Sequence, residues 1–353
     1  MILYAPNVNT GGGYVLLQSI LAAWPSGEPL EAMLDERVRT RLTLPANMQV
    51  HWVRPAVMSR LMAERALYRA ATGDHAVLCF HGLPPLLPLR GRVVVFQQNR
   101  LLFGLTPLTG FRPKTALRIA GERLVSRWFR HRVSTYVVQT PTMARDLTHW
   151  YGGPVPPDVQ VFPFMDPLHH GPALSPAQAE WDFVYVADGE AHKNHLRLIE
   201  AWRELALLGM KPTLALTLGP RDHLLNQQVT AVREECGAKI VNLGQMPLEK
   251  VLELYGKSRA LIFPSLSESF GLPLIEAQLI GLPILAPELD YVRDVCVPIQ
   301  TFDPHSSHSI TRAVRRFLAQ PEPTVALNLP AALWASLSAA RAACGSLPET
   351  SID

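Results

Sequence analysis

The chain has 353 residues, 48% of them apolar and 18% charged, with a formal net charge of +3. That length exceeds the size at which a single hydrophobic core keeps growing, so two domains are expected. No apolar run reaches the eighteen or so positions a membrane span needs, and MILYAPNVNTGGG has no basic leader ahead of an apolar segment, so a cytoplasmic protein is expected. Four cysteines, Cys79, Cys236, Cys296 and Cys344, have no paired spacing and read as free thiols rather than a disulfide framework or a zinc site.

In chain order, short apolar runs alternate with helical patterns. Met1 to Pro6 is a strand and Gly13 to Trp24 a helix, and further strands are expected at Met48 to Val53, Ala76 to Phe80, Val93 to Gln97, Thr135 to Gln139 and Val159 to Phe164. Pro163 to Trp181, rich in Pro, His and Ser, reads as a linker. The alternation then restarts: strand Phe183 to Ala187, helix Lys193 to Leu207, strand Thr213 to Leu218, helix Asp222 to Cys236, strand Lys239 to Leu243, helix Leu248 to Tyr255 and strand Ala260 to Phe263. Two α/β domains with parallel sheets follow, residues 1–165 and 166–330, with a helix near 331–345 packing back on the first. A ligand crevice is expected between them, at the carboxyl ends of the strands.

Charge is unevenly divided. Residues 1–165 carry 18 Lys and Arg against 9 Asp and Glu, and the remainder 15 against 21. Seven cations fall between Arg112 and Arg132 with Glu122 as their only acid. That segment reads either as a solvated helix or as a docking face for an anionic membrane surface.

The densest signal is SLSESFGLPLIEAQLIGLPILAP, residues 265–287. Gly271 lets backbone approach a ligand closely, and Pro273 suits a first helical turn. A helix opening there aims free amides, at Ser269, Phe270, Gly271 and Leu272, and a positive dipole end at an anion. Glu268 precedes the helix and Glu276 lies about one turn inside it, so the two carboxylates can hold different hydroxyls of one elongated ligand. A phosphate between two sugars fits this layout. Asn9 to Gly13 places a second glycine-rich turn after the first strand, but Leu16 stands where a dinucleotide fingerprint needs its third glycine.

Two glutamates eight positions apart around Ser-Phe-Gly-Leu-Pro, followed by Ala277 and Gly281-Leu282-Pro283, resemble the signature of the retaining glycosyltransferases of sequence family 4, which have the GT-B fold. The resemblance implies that Glu268 contacts the transferred sugar and Glu276 the ribose of a nucleotide-diphosphate sugar. It further implies that Gly12 and Gly13 face the donor diphosphate, that Lys193, followed by Asn194, pairs with it, and that Gly219 and Met246 lie against the nucleotide. Many members have an arginine five positions before that lysine; here Asp188 stands there. Where many members have a catalytic histidine this chain has Gln98 and Asn99, expected on the acceptor side with His81, which is equally readable as a satisfied loop histidine. No Asp-x-Asp occurs, so no metal and no cofactor beyond the donor are expected. The implied activity is hexosyl transfer to a saccharide or lipid-linked acceptor in cell-envelope glycan synthesis. A non-catalytic sugar-nucleotide-binding relative and a nucleotide-sugar epimerase of the same fold are the alternatives, and nucleic acid is not an expected partner.

Overall fold

A computed structural model describes residues 1–25, 27–73, 75–109, 111–152, 158–165 and 179–322. The first half builds a seven-stranded sheet from β1 (Ile2–Ala5), β2 (Leu30–Asp35), β3 (Met48–Val53), β4 (Ala76–Cys79), β5 (Arg92–Phe96), β6 (Thr135–Val138) and β7 (Val159–Val161), in the order β3-β2-β1-β4-β5-β6-β7. Its helices are α1 (Gly11–Ala22), α2 (Val57–Ala70), α3 (Pro113–Phe129) and α4 (Pro141–Tyr151). The second half builds a six-stranded sheet, β10-β9-β8-β11-β12-β13, from β8 (Trp181–Tyr185), β9 (Leu214–Leu216), β10 (Ile240–Asn242), β11 (Ser258–Ile262), β12 (Ile284–Pro287) and β13 (Gln300–Phe302). Its helices are α5 (His195–Leu207), α6 (His223–Cys236), α7 (Leu248–Gly256), α8 (Leu272–Leu279), α9 (Asp290–Arg293) and α10 (Ser307–Phe317). Every strand pair in both sheets is parallel.

Parallel strands covered on both faces must be apolar throughout, and β1 and β12 are buried at every position. The covering helices supply one apolar stripe each. In α5, Leu198, Ile199, Ala201, Trp202 and Leu205 are buried, and Trp202 meets Phe183 of β8 edge-on at 5.4 Å while its indole N–H donates to the Pro212 carbonyl at 2.9 Å.

In each sheet the chain works outward from a central strand and then returns to its other side. The switch lies between β1 and β4 in the first sheet and between β8 and β11 in the second. Crevices open at such points, because the loops after the two flanking strands leave in opposite directions. The glycine loop follows β1 and His81 follows β4; Lys193 follows β8 and Glu268 follows β11.

Several expectations need correction. The run Leu30–Asp35 is a strand in the middle of the first sheet, although its Glu31 and Asp35 break the apolar pattern: Glu31 meets His51 at 3.5 Å, and the fully buried Asp35 is held by the Arg37 guanidinium and amide. The strands β12 and β13 have no counterpart among the expected elements. Trp181, expected at the end of the linker, opens β8 in register with Ser258. The linker is largely, and the helix near 331–345 wholly, outside the described residues, as is Cys344; Cys79, Cys236 and Cys296 are free thiols. Among the described residues no helix is long and apolar enough to cross a membrane.

The basic segment is built differently from a solvated stripe. Arg112 donates to the Arg221 carbonyl, Arg118 pairs with Glu122, Arg123 donates to the carbonyls of Leu101 and Thr106, Arg130 to that of Tyr151, and Arg132 to that of Leu86. Arg127 lies over the Trp150 ring. Six of the seven cations are thus engaged within the protein.

Candidate active site

Two buried tyrosines fix the loop from β11 to α8, Tyr185 to the loop after β8 and Tyr291 to α9. Tyr185 Oη donates to the Lys193 carbonyl at 2.8 Å and lies 3.0 Å from Ser265 Oγ; Tyr291 Oη donates to the Ser265 carbonyl at 2.6 Å, and the Leu266 amide to the His192 carbonyl at 2.8 Å. So held, Lys193 Nζ reaches both carboxylate oxygens of Glu268, at 2.7 and 2.9 Å, with the two side chains only 18% and 11% exposed. The lysine and glutamate expected to serve the donor therefore already neutralise each other.

Gly271 caps α8 at φ 71°, a left-handed conformation that side chains rarely adopt, and a Cβ there would stand 3.1 Å from Leu274 Cδ1. An α-helix leaves its first amides without intrahelical acceptors, and this cap has no side chain to receive them. One turn in, Glu276 is 8% exposed, with Tyr255 Oη donating to it at 3.1 Å. Burial pushes its carboxyl up to about 7, against a smaller opposing effect of the tyrosine hydrogen bond.

The first domain closes over this corner. A Cβ on Gly12 would stand 3.0 Å from Leu272 Cδ1; within the first domain, one on Gly13 would stand 3.1 Å from Gln98 Oε1. The Arg100 amide donates to Ser269 Oγ at 2.9 Å, the Thr142 amide to Asp294 at 2.8 Å, and Arg145 pairs with Asp290 at 2.8 Å. Between the domains lies a cleft of about 1690 Å³ lined by Gly12, Gly13, Gln98, Lys193, Gly219, Met246, Glu268, Ser269, Phe270, Gly271, Leu272 and Glu276. The structure thus gathers most of the expected donor-side residues around one cavity.

Asn194 is an exception. Its side-chain amide donates to the carbonyls of Pro264 at 3.1 Å and Pro304 at 2.8 Å from a left-handed backbone at φ 61°, and it does not line the cleft; it ties two loops together. Gly219 lines the cleft, but its amide donates to Asp222 at 3.1 Å and its carbonyl accepts the Asp222 amide, so it offers space rather than a hydrogen bond.

The residues expected on the acceptor side, His81, Gln98 and Asn99, line a smaller cavity of about 320 Å³ that shares Gly13 and Gln98 with the main cleft. Gln98 Nε2 donates to the Phe80 carbonyl at 2.5 Å, and Asn99 Oδ1 accepts the Leu101 amide. Burial pushes His81 down to about 4, so its imidazole is neutral at pH 7. Gln98 Oε1, Asn7 Oδ1 and His81 Nδ1 are buried there with no partner among the described residues.

Sequence reasoning missed Arg41. It lies on the cleft wall with its guanidinium 4.7 Å from the Tyr14 ring and donates to the Asn9 carbonyl at 2.6 Å. Among the described residues the cleft is lined by two cations, Arg41 and Lys193, against four carboxylates, Asp188, Glu249, Glu268 and Glu276. Arg41 is the one cation there without a carboxylate partner. A single arginine in a long loop has no local pattern; only the count of charges on the assembled wall reveals it. Among the described residues no group of three or more potential metal ligands occurs.

Residues 172–330 match the family model of the glycosyl transferases group 1. The chain is 30% identical over 149 residues to the serotype-specific mannosyltransferase WbdA of Escherichia coli, covering 41% of this chain and 18% of WbdA. It is 31% identical over 129 residues to the O-antigen chain mannosyltransferase B of Escherichia coli, covering 35% and 33%. The chain thus spans about a third or less of the length of these curated relatives. Among solved structures it superposes on the sucrose-phosphate synthase (tll1590) from Thermosynechococcus elongatus with a TM-score of 0.67 at 15% identity, covering 91% of this chain and 90% of that one. On Anabaena Alr3699/HepE in complex with UDP and glucose the TM-score is 0.65 at 16% identity, covering 90% and 89%. The fold is GT-B. At these identities the structural likeness extends to architecture, and the sequence match falls on the half of this GT-B chain that carries Lys193, Glu268 and Glu276.

Proposed function

We propose that this protein is a retaining, metal-independent hexosyltransferase that moves a sugar from a nucleotide-diphosphate donor to a hydroxyl of a saccharide or lipid-linked acceptor in cell-envelope glycan synthesis. The observation that carries the reading is the corner where the Lys193–Glu268 pair, the open N-terminus of α8 and Glu276 meet at a topological switch point. The mannosyltransferase names of the curated relatives support a hexose donor and a polysaccharide product.

In this reading the diphosphate lies before the amides at the start of α8, where charge developing on the departing oxygen is met by fixed dipoles. A diphosphate entering beside Lys193 competes with Glu268 for the ammonium, which frees the carboxylate to orient sugar hydroxyls. Arg41 adds the cation that Asp188 does not supply. Glu276, as a carboxylate, accepts from the ribose. The acceptor oxygen attacks the anomeric carbon on the face the diphosphate leaves, and the departing phosphate oxygen takes the acceptor proton, so no strong side-chain base is required. The neutral His81 imidazole and the amides of Gln98 and Asn99 form a polar, uncharged wall suited to sugar hydroxyls.

Asp188 favours the second reading, a protein that binds a sugar nucleotide without turnover. Incubation with nucleoside-diphosphate mannose and a lipid-linked saccharide in a chelator separates the two. Transfer yields free nucleotide and a glycoside with the donor's anomeric configuration; a 2-epimer of the donor identifies an epimerase, and no product supports the binding protein.

A further inference from the structure

The neighbouring strands β5 and β6 each run out into a glutamine at the same level of the first sheet. Val94 pairs with Thr135, Val95 with Tyr136 and Phe96 with Val137, and the Gln97 amide carries the ladder on by donating to the Val137 carbonyl at 2.8 Å. Gln98 and Gln139, two residues beyond the last pair, therefore stand opposite each other. Side chains alternate along a strand, so both fall on the face of Phe96 and Val137, which pack in one cluster with Leu16, Leu17 and Leu21 of α1. Both glutamines line the main cleft.

Their hydrogen bonds are incomplete in opposite senses. Gln98 Nε2 is committed to the Phe80 carbonyl, which leaves Oε1 as a buried acceptor with no partner among the described residues. Gln139 is 3% exposed, and its Nε2 is a buried donor with no partner among the described residues. Buried polar groups are paired as a rule, and an unpaired one destabilises the fold. Here one acceptor and one donor are left open on adjacent strands. A carboxylate or carbonyl oxygen satisfies only the donor, and an ammonium group only the acceptor. A hydroxyl satisfies both, because the same oxygen donates its proton and accepts on a lone pair.

The pair also stands where the two domains meet. Gln98 lies two residues before Arg100, whose amide donates to Ser269 Oγ at 2.9 Å, and Gln139 immediately precedes Thr140, whose Oγ1 donates to the Ser269 carbonyl at 3.5 Å. Ser269 follows Glu268 in the chain, so both glutamines face the Lys193–Glu268 corner from across the cleft. Gly13 keeps the approach to Gln98 Oε1 open, since a Cβ there would stand 3.1 Å away. Gln98 lines the smaller cavity as well and Gln139 does not, which sets the pair at the junction of the two cavities.

We propose that Gln98 and Gln139 clamp one hydroxyl of a sugar bound at the Glu268 corner, Gln98 Oε1 accepting from it and Gln139 Nε2 donating to it, and that this clamp selects sugars carrying that hydroxyl. The presence of a sugar there belongs to the transfer reading, on which the clamp rests; Gln139 and the rule of selection are added to it. A sugar without the hydroxyl leaves two buried groups unpaired, a heavier penalty than a lost apolar contact. The hydroxyl comes from the transferred hexose or from the acceptor, and deoxy forms of each tell which.

The test compares the wild type with Gln98→Met, Gln139→Met, Gln139→Leu and Gln139→Glu, using nucleoside-diphosphate mannose and a mannoside acceptor, each also in its monodeoxy forms. One deoxy position, on one of the two sugars, is expected to lower the wild-type kcat/KM by about 100-fold or more. Gln139→Met should lose a similar factor with the parent sugars and nothing further with that deoxy form, because both changes remove the same contact. Gln139→Glu keeps an oxygen but no donor and should lose as much. Nucleoside diphosphate without a sugar should bind all five proteins equally in calorimetry. Gln139→Met or Gln139→Leu should melt no lower than the wild type, since either removes an unpaired buried donor. Lower melting in both would reveal a partner for Nε2 within the protein and overturn the proposal. Equal losses in wild type and variants for every deoxy form would mean that the pair holds only a water, and would overturn it too. If the wild type transfers nothing, the transfer reading falls, and saturation-transfer NMR with free mannose and its monodeoxy forms decides the clamp. The same pattern of losses upholds it there, and undiminished mannose binding by Gln139→Met overturns it.

Discussion

Glu276 should make this protein's stability fall as the pH rises, through one identifiable carboxyl. Folded, the carboxyl titrates at about 7; unfolded, near its ordinary 4.5. Between those values the folded state retains a proton that the unfolded state has lost. The stabilisation is therefore complete below 4.5 and lost as pH rises through about 7. At about 1.4 kcal/mol per pH unit, the interval is worth about 3 kcal/mol. Glu276→Gln imitates the neutral acid, keeps an acceptor for Tyr255 Oη, and removes the titration. Thermal unfolding of the wild type and the variant should therefore coincide near pH 4, below the unfolded value, with the variant melting higher at pH 8 by roughly 6–12 °C for a domain of this size. Tyr255→Phe removes the hydrogen bond that partly offsets burial and should steepen the wild-type decline. If a ribose binds the carboxylate, donor binding near pH 6.5 should release protons, which calorimetry in buffers of different ionisation heat detects. Parallel pH profiles for the wild type and Glu276→Gln would refute the assignment of the titration to this residue.

Lys193→Ala should weaken nucleoside-diphosphate binding at least about tenfold and strand Glu268, which is 11% exposed; titration calorimetry with and without a chelator reads the first effect and should show no dependence on divalent metal. Glu268→Gln should lower kcat by about 100-fold or more, as for one lost transition-state contact, whereas Glu276→Ala should mainly raise the donor KM; the opposite pattern would mean that the donor runs the other way through the cleft. Arg41→Ala should weaken nucleoside-diphosphate binding about tenfold, with Asp188→Arg restoring part of the loss; unchanged binding would remove Arg41 from the donor site. Asn194→Ala should act on stability instead, costing roughly 2 kcal/mol for two hydrogen bonds, read as a lower melting temperature.

The parts of the fold and site that were legible in the sequence are those whose chemistry is local. The turn at Gly271 and Pro273, the glutamates on either side of it, and Lys193 after its strand are fixed by backbone geometry within a few residues, and the structure brings them to one corner. Asn194 shows the boundary of that reasoning: its partners, Pro264 and Pro304, lie 70 and 110 positions away, and nothing near residue 194 announces them. The run Leu30–Asp35 gives no clear strand signal because Glu31 and Asp35 interrupt its apolar pattern, yet the pairing of β2 between β1 and β3 overrides that weakness. Charge misled in a similar way. Arg112 to Arg132 reads as a stripe in sequence, but four of its arginines, Arg112, Arg123, Arg130 and Arg132, reach carbonyls on other elements.

Three of the contacts between the two domains set a first-domain main chain against a second-domain side chain: the amides of Arg100 and Thr142 donate to Ser269 and Asp294, and Gly12 faces Leu272. An amide can be supplied by nearly any residue, so these three contacts constrain the path of the first domain's main chain more than its sequence. The specific first-domain side chains at the joint are Arg145, paired with Asp290, Arg112, which donates to the Arg221 carbonyl, and Phe111, stacked on His192. Grafting another first domain onto this seat would therefore require Gly12, Phe111, Arg112 and Arg145 together with the backbone at residues 100 and 142.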